Sequence, residues 1–172
     1  MAKSQRPKTK GKEARFQEAL SLRDSGRRGE AERVLRDLLA EEPADLRTVL
    51  VLGGLLFVQD RYEESLPLFA SVLASRPQNE PASLGLFHSL WHLGRREEAF
   101  AEMERFLLGH ASKEYSRLLL EFRQWLAEEG TDIPAANIHR ILELAGRQAE
   151  AELISRHAPE SSRANEGGKE TK

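Results

Sequence analysis

His88 and His92, four residues apart, are the pair in this sequence closest to metal chemistry. On a helix that spacing puts both imidazoles on one face. Zinc needs at least a third protein ligand, and none is adjacent in sequence. The pair therefore reads as part of a structural or binding surface, with no metal and no other cofactor expected. His110, His139 and His157 stand alone. With no Cys in the chain there is no thiolate nucleophile, no Cys-ligated metal and no disulfide framework. No Gly-rich phosphate loop and no His-Glu-x-x-His motif occurs. Acidic residues fall singly or in pairs such as Glu41-Glu42, matched by basic pairs such as Arg95-Arg96, and these read as solvated helix surface. No catalytic set can be assembled, and the chain reads as a non-enzyme.

The 172 residues, 40 % of them hydrophobic, suffice for one domain with a buried core. Leu and Ala supply most of the apolar surface, which points to helix packed on helix. A net charge of −2 argues against a dedicated nucleic-acid or membrane-surface protein. No apolar run reaches the ~18 residues that span a bilayer, so no membrane insertion is expected. The opening MAKSQRPKTKGK lacks the apolar core of a signal peptide, and cytoplasmic localisation is the expectation.

The elements that carry these residues repeat every 34 positions. In the central stretch from Leu46, Val49, Leu52, Gly53 and Leu56 take large, large, small and large places of a first helix. Ser65, Phe69, Val72 and Pro77 take small, large, apolar and breaker places of a second. One period earlier stand Ala19 and Leu22, then Gly26, Ala31, Leu35, Leu38 and Pro43. One period later stand Leu86 and Leu90, then Gly94, Ala99, Met103, Phe106 and Ala111. Three features depart from regularity. Arg15 and Glu18 occupy apolar places, as befits a terminal repeat. Phe87 stands where the small residue belongs and is expected to push the helices apart or rotate them. Pro67 requires its helix to begin near Tyr62. Gly53 reads as a close helix approach.

This spacing resembles the tetratricopeptide repeat. The resemblance implies an all-α, right-handed α-α superhelix of three helical hairpins, about 13–45, 46–79 and 80–113. A solvating helix over 114–130, with Tyr115, Leu118, Leu119, Phe122, Trp125 and Leu126 at helical spacing, closes the stack. Flanking it are a basic disordered arm over 1–12, a further helix over 131–157 and a polar tail over 158–172. The helix after Pro134 is expected either to dock on the stack or to pair with a second copy, giving a homodimer through the C-terminal helix.

In proteins of this family the first helices line a concave groove, and ligands meet the second, fifth, ninth, twelfth and thirteenth places of each repeat. Carried over, these are Glu13, Phe16, Leu20, Arg23 and Asp24. In the second repeat they are Arg47, Leu50, Gly54, Phe57 and Val58, and in the third Pro81, Leu84, His88, Trp91 and His92. Leu50, Phe57, Val58, Leu84, His88, Trp91 and His92 form the candidate partner site, with Trp91 as anchor. The competing reading has some of these side chains packed against neighbouring helices. Phe16 and Leu20 stand where a carboxylate clamp would need polar or basic groups, so none is expected. The implied function is a protein-interaction adaptor or assembly factor capturing an apolar or amphipathic peptide or helix. Alternatives are a secretion-type chaperone for an exported partner and an antitoxin or immunity protein that blocks an enzyme. No specific nucleic-acid partner is expected.

Overall fold

The computed structural model describes residues 11–127 together with the helical residues 139, 140, 143, 144, 146 and 147. Residues 1–10 of the arm expected over 1–12, most of the expected helix over 131–157 and the tail over 158–172 lie outside the described residues, whereas Lys12, expected in the arm, opens the first helix. Over 11–127 the chain forms seven helices and no strand: α1 Lys12–Asp24, α2 Arg28–Glu41, α3 Leu46–Phe57, α4 Tyr62–Ser75, α5 Glu80–His92, α6 Arg96–Leu107 and α7 Lys113–Ala127. Two compact units divide at Phe106 and Leu107.

The first unit is an all-α helical-repeat superhelix of three hairpins, α1/α2, α3/α4 and α5/α6. Each hairpin turns through one left-handed residue, Gly26 (φ +78°), Asp60 (φ +60°) and Gly94 (φ +73°), spaced by the sequence period. Asp tolerates that region better than most residues with a side chain, which is why the central turn closes without glycine. Between hairpins the chain is capped instead. Asp45 accepts from the backbone N–H of Arg47 (3.2 Å) and from the Thr48 hydroxyl (2.6 Å), while Asn79 accepts from the N–H of Ala82 (2.9 Å), so α3 and α5 both start on a side-chain oxygen.

Two clusters join the first two hairpins and the start of α5, and Phe87, Leu90, Phe100, Met103 and Phe106 are buried in the third hairpin. Phe16, Ala19, Ala31, Leu35 and Leu38 meet Leu52, Leu55 and Leu56, fusing the first hairpin to α3. Val49, Phe69, Val72, Leu73 and Ala82 join α3, α4 and α5. Half-buried Leu39 and Leu68 pack against both clusters. The small places Ala19, Ala31, Ser65 and Ala99 are fully buried, as close helix crossings require.

Phe69 shows how close those crossings are. A methyl group added at Gly53 would lie 3.0 Å from its ring, and one added at Gly85 would lie 2.4 Å from it. The ring thus sits against bare backbone of both α3 and α5. Gly53 behaves as the repeat pattern predicts. In the third repeat the close approach falls at Gly85, and Phe87, at the nominal small place, is buried and stacked in the core instead. Helix α4 begins at Tyr62 as Pro67 demands, with the proline in its second turn.

Hydroxyl bonds tie the hairpins where packing alone is small. Ser65 and Ser89 share a buried hydrogen bond (2.8 Å), and the hydroxyl that accepts in it donates to a backbone carbonyl, that of Tyr62 for Ser65 or of Gly85 for Ser89. Ser83 donates to Glu102, which pairs with Arg105 (2.7 Å), and Arg105 reaches the carbonyl of Pro77 (3.0 Å).

In the second unit, Ser112 caps α7 by accepting from the N–H of Tyr115 (3.0 Å). Tyr115, Leu119 and Phe122 form its buried stripe, and Leu120 is exposed.

Candidate functional site

Helices α3 and α5, with the α3 C-cap Val58, carry the seven candidate partner-site residues. Leu50, Phe57, Leu84, His88 and Trp91 are half-buried, His92 is exposed, and Val58, the C-cap of α3, is 51 % exposed. Leu50 and Phe57 rest partly on the second core cluster, so each offers only part of its surface.

Phe57 is the centre of an aromatic group. Its ring lies 5.4 Å from Tyr62, 6.3 Å from His88 and 5.8 Å from His92. Tyr62 and His92 stack face to face at 4.6 Å with planes 7° apart. The Tyr62 hydroxyl donates to Asp60 at the hairpin turn (2.6 Å), and that bond pushes the phenol pKa up. Trp91 belongs to a second group: it stacks on Phe87 (6.1 Å), meets the edge of Phe100 (5.7 Å) and lies under the Arg96 guanidinium (5.3 Å). Contact between Phe87 and His88 (5.2 Å) joins the two groups. Tyr62 is therefore a member of this aromatic group that the groove positions alone do not nominate, and the buried Phe87 and Phe100 support Trp91 from the core. Tyr62 follows two residues after the turn Asp60, and that short distance from Phe57 was its available signal.

At the first repeat the same helix face is filled. Arg47 pairs with Glu13 (2.6 Å), its counterpart one period earlier, and covers the Phe16 ring at 4.0 Å. The bond from Arg47, helped by Gln17, holds the Glu13 carboxyl below the usual carboxylate range. Phe16 is 4 % exposed and belongs to the core. The apolar part of this face is thus confined to the second and third repeats. Among the described residues no group of three His, Cys, Asp or Glu is placed to hold a metal ion.

A separate cleft of about 630 Å³ opens between α4 and α6 on the face of the second helices. Leu66, Pro67 and Ala70 from α4, Leu86 and Leu90 from α5, and Ala101 from α6 make its apolar walls. Glu63, Arg95, Glu98, Glu102 and Arg105 make its charged rim. Its cause is visible one repeat earlier. Between α2 and α4, Arg61 binds Glu32 (2.6 Å) and Glu64 (2.7 Å), while Arg36 binds Glu32 (2.8 Å) and Glu64 (3.3 Å). These four charges bridge that groove. One period on, Arg61 and Glu64 are matched by Arg95 and Glu98, paired at 2.7 Å, but Glu32 and Arg36 are replaced by Leu66 and Ala70. The bridging half of the network is gone, and the groove stays open.

Residues 56–121 match the family model described as the tetratricopeptide repeat. No curated protein gives a match. Among solved structures, MamA from Desulfovibrio magneticus RS-1 is similar with a TM-score of 0.60 at 20% identity, covering 80% of this chain and 77% of that one. The MamA MSR-1 structure is similar with a TM-score of 0.61 at 19% identity, over 83% of this chain and 81% of that one. The Yersinia enterocolitica type III secretion translocator chaperone SycD is similar with a TM-score of 0.53 at 15% identity, over 82% and 93%. At these identities the likeness is one of fold.

Proposed function

For a chain built of tetratricopeptide repeats, we propose the role of a protein-interaction adaptor that captures an apolar or amphipathic segment of another protein on the α3/α5 face. One observation carries this reading: Val58, a large apolar side chain, is 51 % exposed next to the half-buried Phe57, whose ring meets His88 and His92. Apolar surface gathered in that way is stabilised by covering it. The aromatic group gives such a segment rigid, flat partners that lose little side-chain entropy on binding. Trp91 contributes through the wall it builds with Phe87 and Phe100. A secretion-type chaperone is the same activity with an exported partner, and the fold shared with SycD is what supports it. No helix of the described residues is long and apolar enough to cross a membrane.

Val58→Asp tests the adaptor reading without disturbing the core. With a photo-crosslinking residue at the exposed position His92, partners are recovered by mass spectrometry from extract of the source cells. The expected result is one dominant partner whose capture Val58→Asp or Leu84→Asp reduces at least tenfold, roughly the effect of a central contact, while thermal melts of Val58→Asp match the parent. Full retention of the partner by both variants would exclude this face.

A further inference from the structure

We propose that the α4/α6 cleft is a second docking site, for an amphipathic helix that carries a basic side chain. It shares no residue with the α3/α5 face and stands whether or not that face binds. The argument begins from what the repeat leaves out. Where the preceding groove is bridged by Glu32 and Arg36, this one offers Leu66 and Ala70, so apolar wall replaces ion pair at two adjacent rungs. The exposed alanines Ala70 on α4 and Ala101 on α6 both line the opening, and their small side chains leave room for a third helix. Leu86 and Leu90 supply the floor.

Charge selects the occupant. Arg95 is held by Glu98 (2.7 Å) and Arg105 by Glu102 (2.7 Å), so both cations on the rim are already matched. Glu63 has no ion-pair partner among the described residues. Pro67, four residues on, has no N–H with which to bond the carbonyl of Glu63, and that residue therefore offers a backbone acceptor beside its carboxylate. A Lys or Arg at the edge of an apolar helix face meets both. An acidic residue there would be repelled.

The test uses two fluorescent synthetic peptides that share one leucine stripe at helical spacing and differ in a single flanking residue, Lys or Glu. Anisotropy with the full chain should show saturable binding of the Lys peptide, at least roughly tenfold tighter than the Glu peptide at low salt, the difference shrinking as salt screens Glu63. Glu63→Gln should remove most of that preference. The double variant Leu66→Glu with Ala70→Arg transplants the charges of the preceding groove and should abolish binding of both peptides. Ala70→Arg alone, at an exposed position, blocks the cleft should the double variant melt early. Val58→Asp should leave the affinity unchanged. Absence of saturable binding, or binding that survives Ala70→Arg, or that is lost with Val58→Asp instead, overturns the site.

Discussion

Gly85 and Gly54 differ in what an added methyl group meets. At Gly85 it would lie 2.4 Å from the Phe69 ring, whereas at Gly54 nothing stands within 4 Å. Both glycines lie inside helices, where alanine is intrinsically better by about 1 kcal/mol. Gly54→Ala is therefore expected to raise stability by up to about 1 kcal/mol, and Gly85→Ala to lower it by about 1 to 3 kcal/mol through overpacking. Chemical denaturation of the two variants measures both; equal shifts would mean that the ring is not confined. The sequence marks Gly53 through the repeat pattern but gives no such mark to Gly85, because the pattern records where the family is usually small. Here Phe87 takes the core place and the helix crossing has moved two residues toward the N-terminus, a choice made by the Phe69 ring one hairpin away.

Helix α3 shows how a local cap becomes a pH dependence. Burial raises the Asp45 pKa, but bonds from the Thr48 hydroxyl and from the backbone N–H groups of Arg47 and Thr48 outweigh it and hold the carboxyl below the usual range. The folded chain thus takes up a proton at Asp45 less readily than the unfolded chain does. The resulting stability is fully present above the unfolded value near ~4 and is lost as pH falls through the lower folded value. Asp45→Ala should cost about 1 kcal/mol at neutral pH. Asp45→Asn should keep most of the cap and flatten the acid limb of a melting-temperature profile. An acid limb unchanged in the Asn variant would place the titration elsewhere. The elements themselves were legible because Leu52, Gly53, Leu56, Ser65, Phe69 and Val72 all fall buried at their repeat places. The α4/α6 cleft is legible in the sequence only when charges as well as apolar residues are aligned at the same period, which sets Glu32 and Arg36 against Leu66 and Ala70. Side-chain pairing, such as Tyr62 on His92, depends on rotamers that spacing leaves open.

Across the first unit, coupling passes through residues shared between cores rather than through any one hairpin. Leu68 packs against both clusters, so truncating it removes contacts on either side of α4. Leu68→Ala should lower stability by about 2 kcal/mol and should reduce amide-exchange protection in α2 and α5 together. A drop confined to α4 would mean that the hairpins melt as independent units. Phe69 occupies the corresponding position between helices, with backbone of α3 on one side and backbone of α5 on the other. Its ring can rotate about its own axis only when those two helices part, because glycine backbone has no side chain to swing aside. Ring rotation in this residue therefore reports the opening of the repeat itself: in NMR spectra the two edges of Phe69 should resolve as separate signals that merge on warming before the protein unfolds, giving the breathing of the stack its own clock.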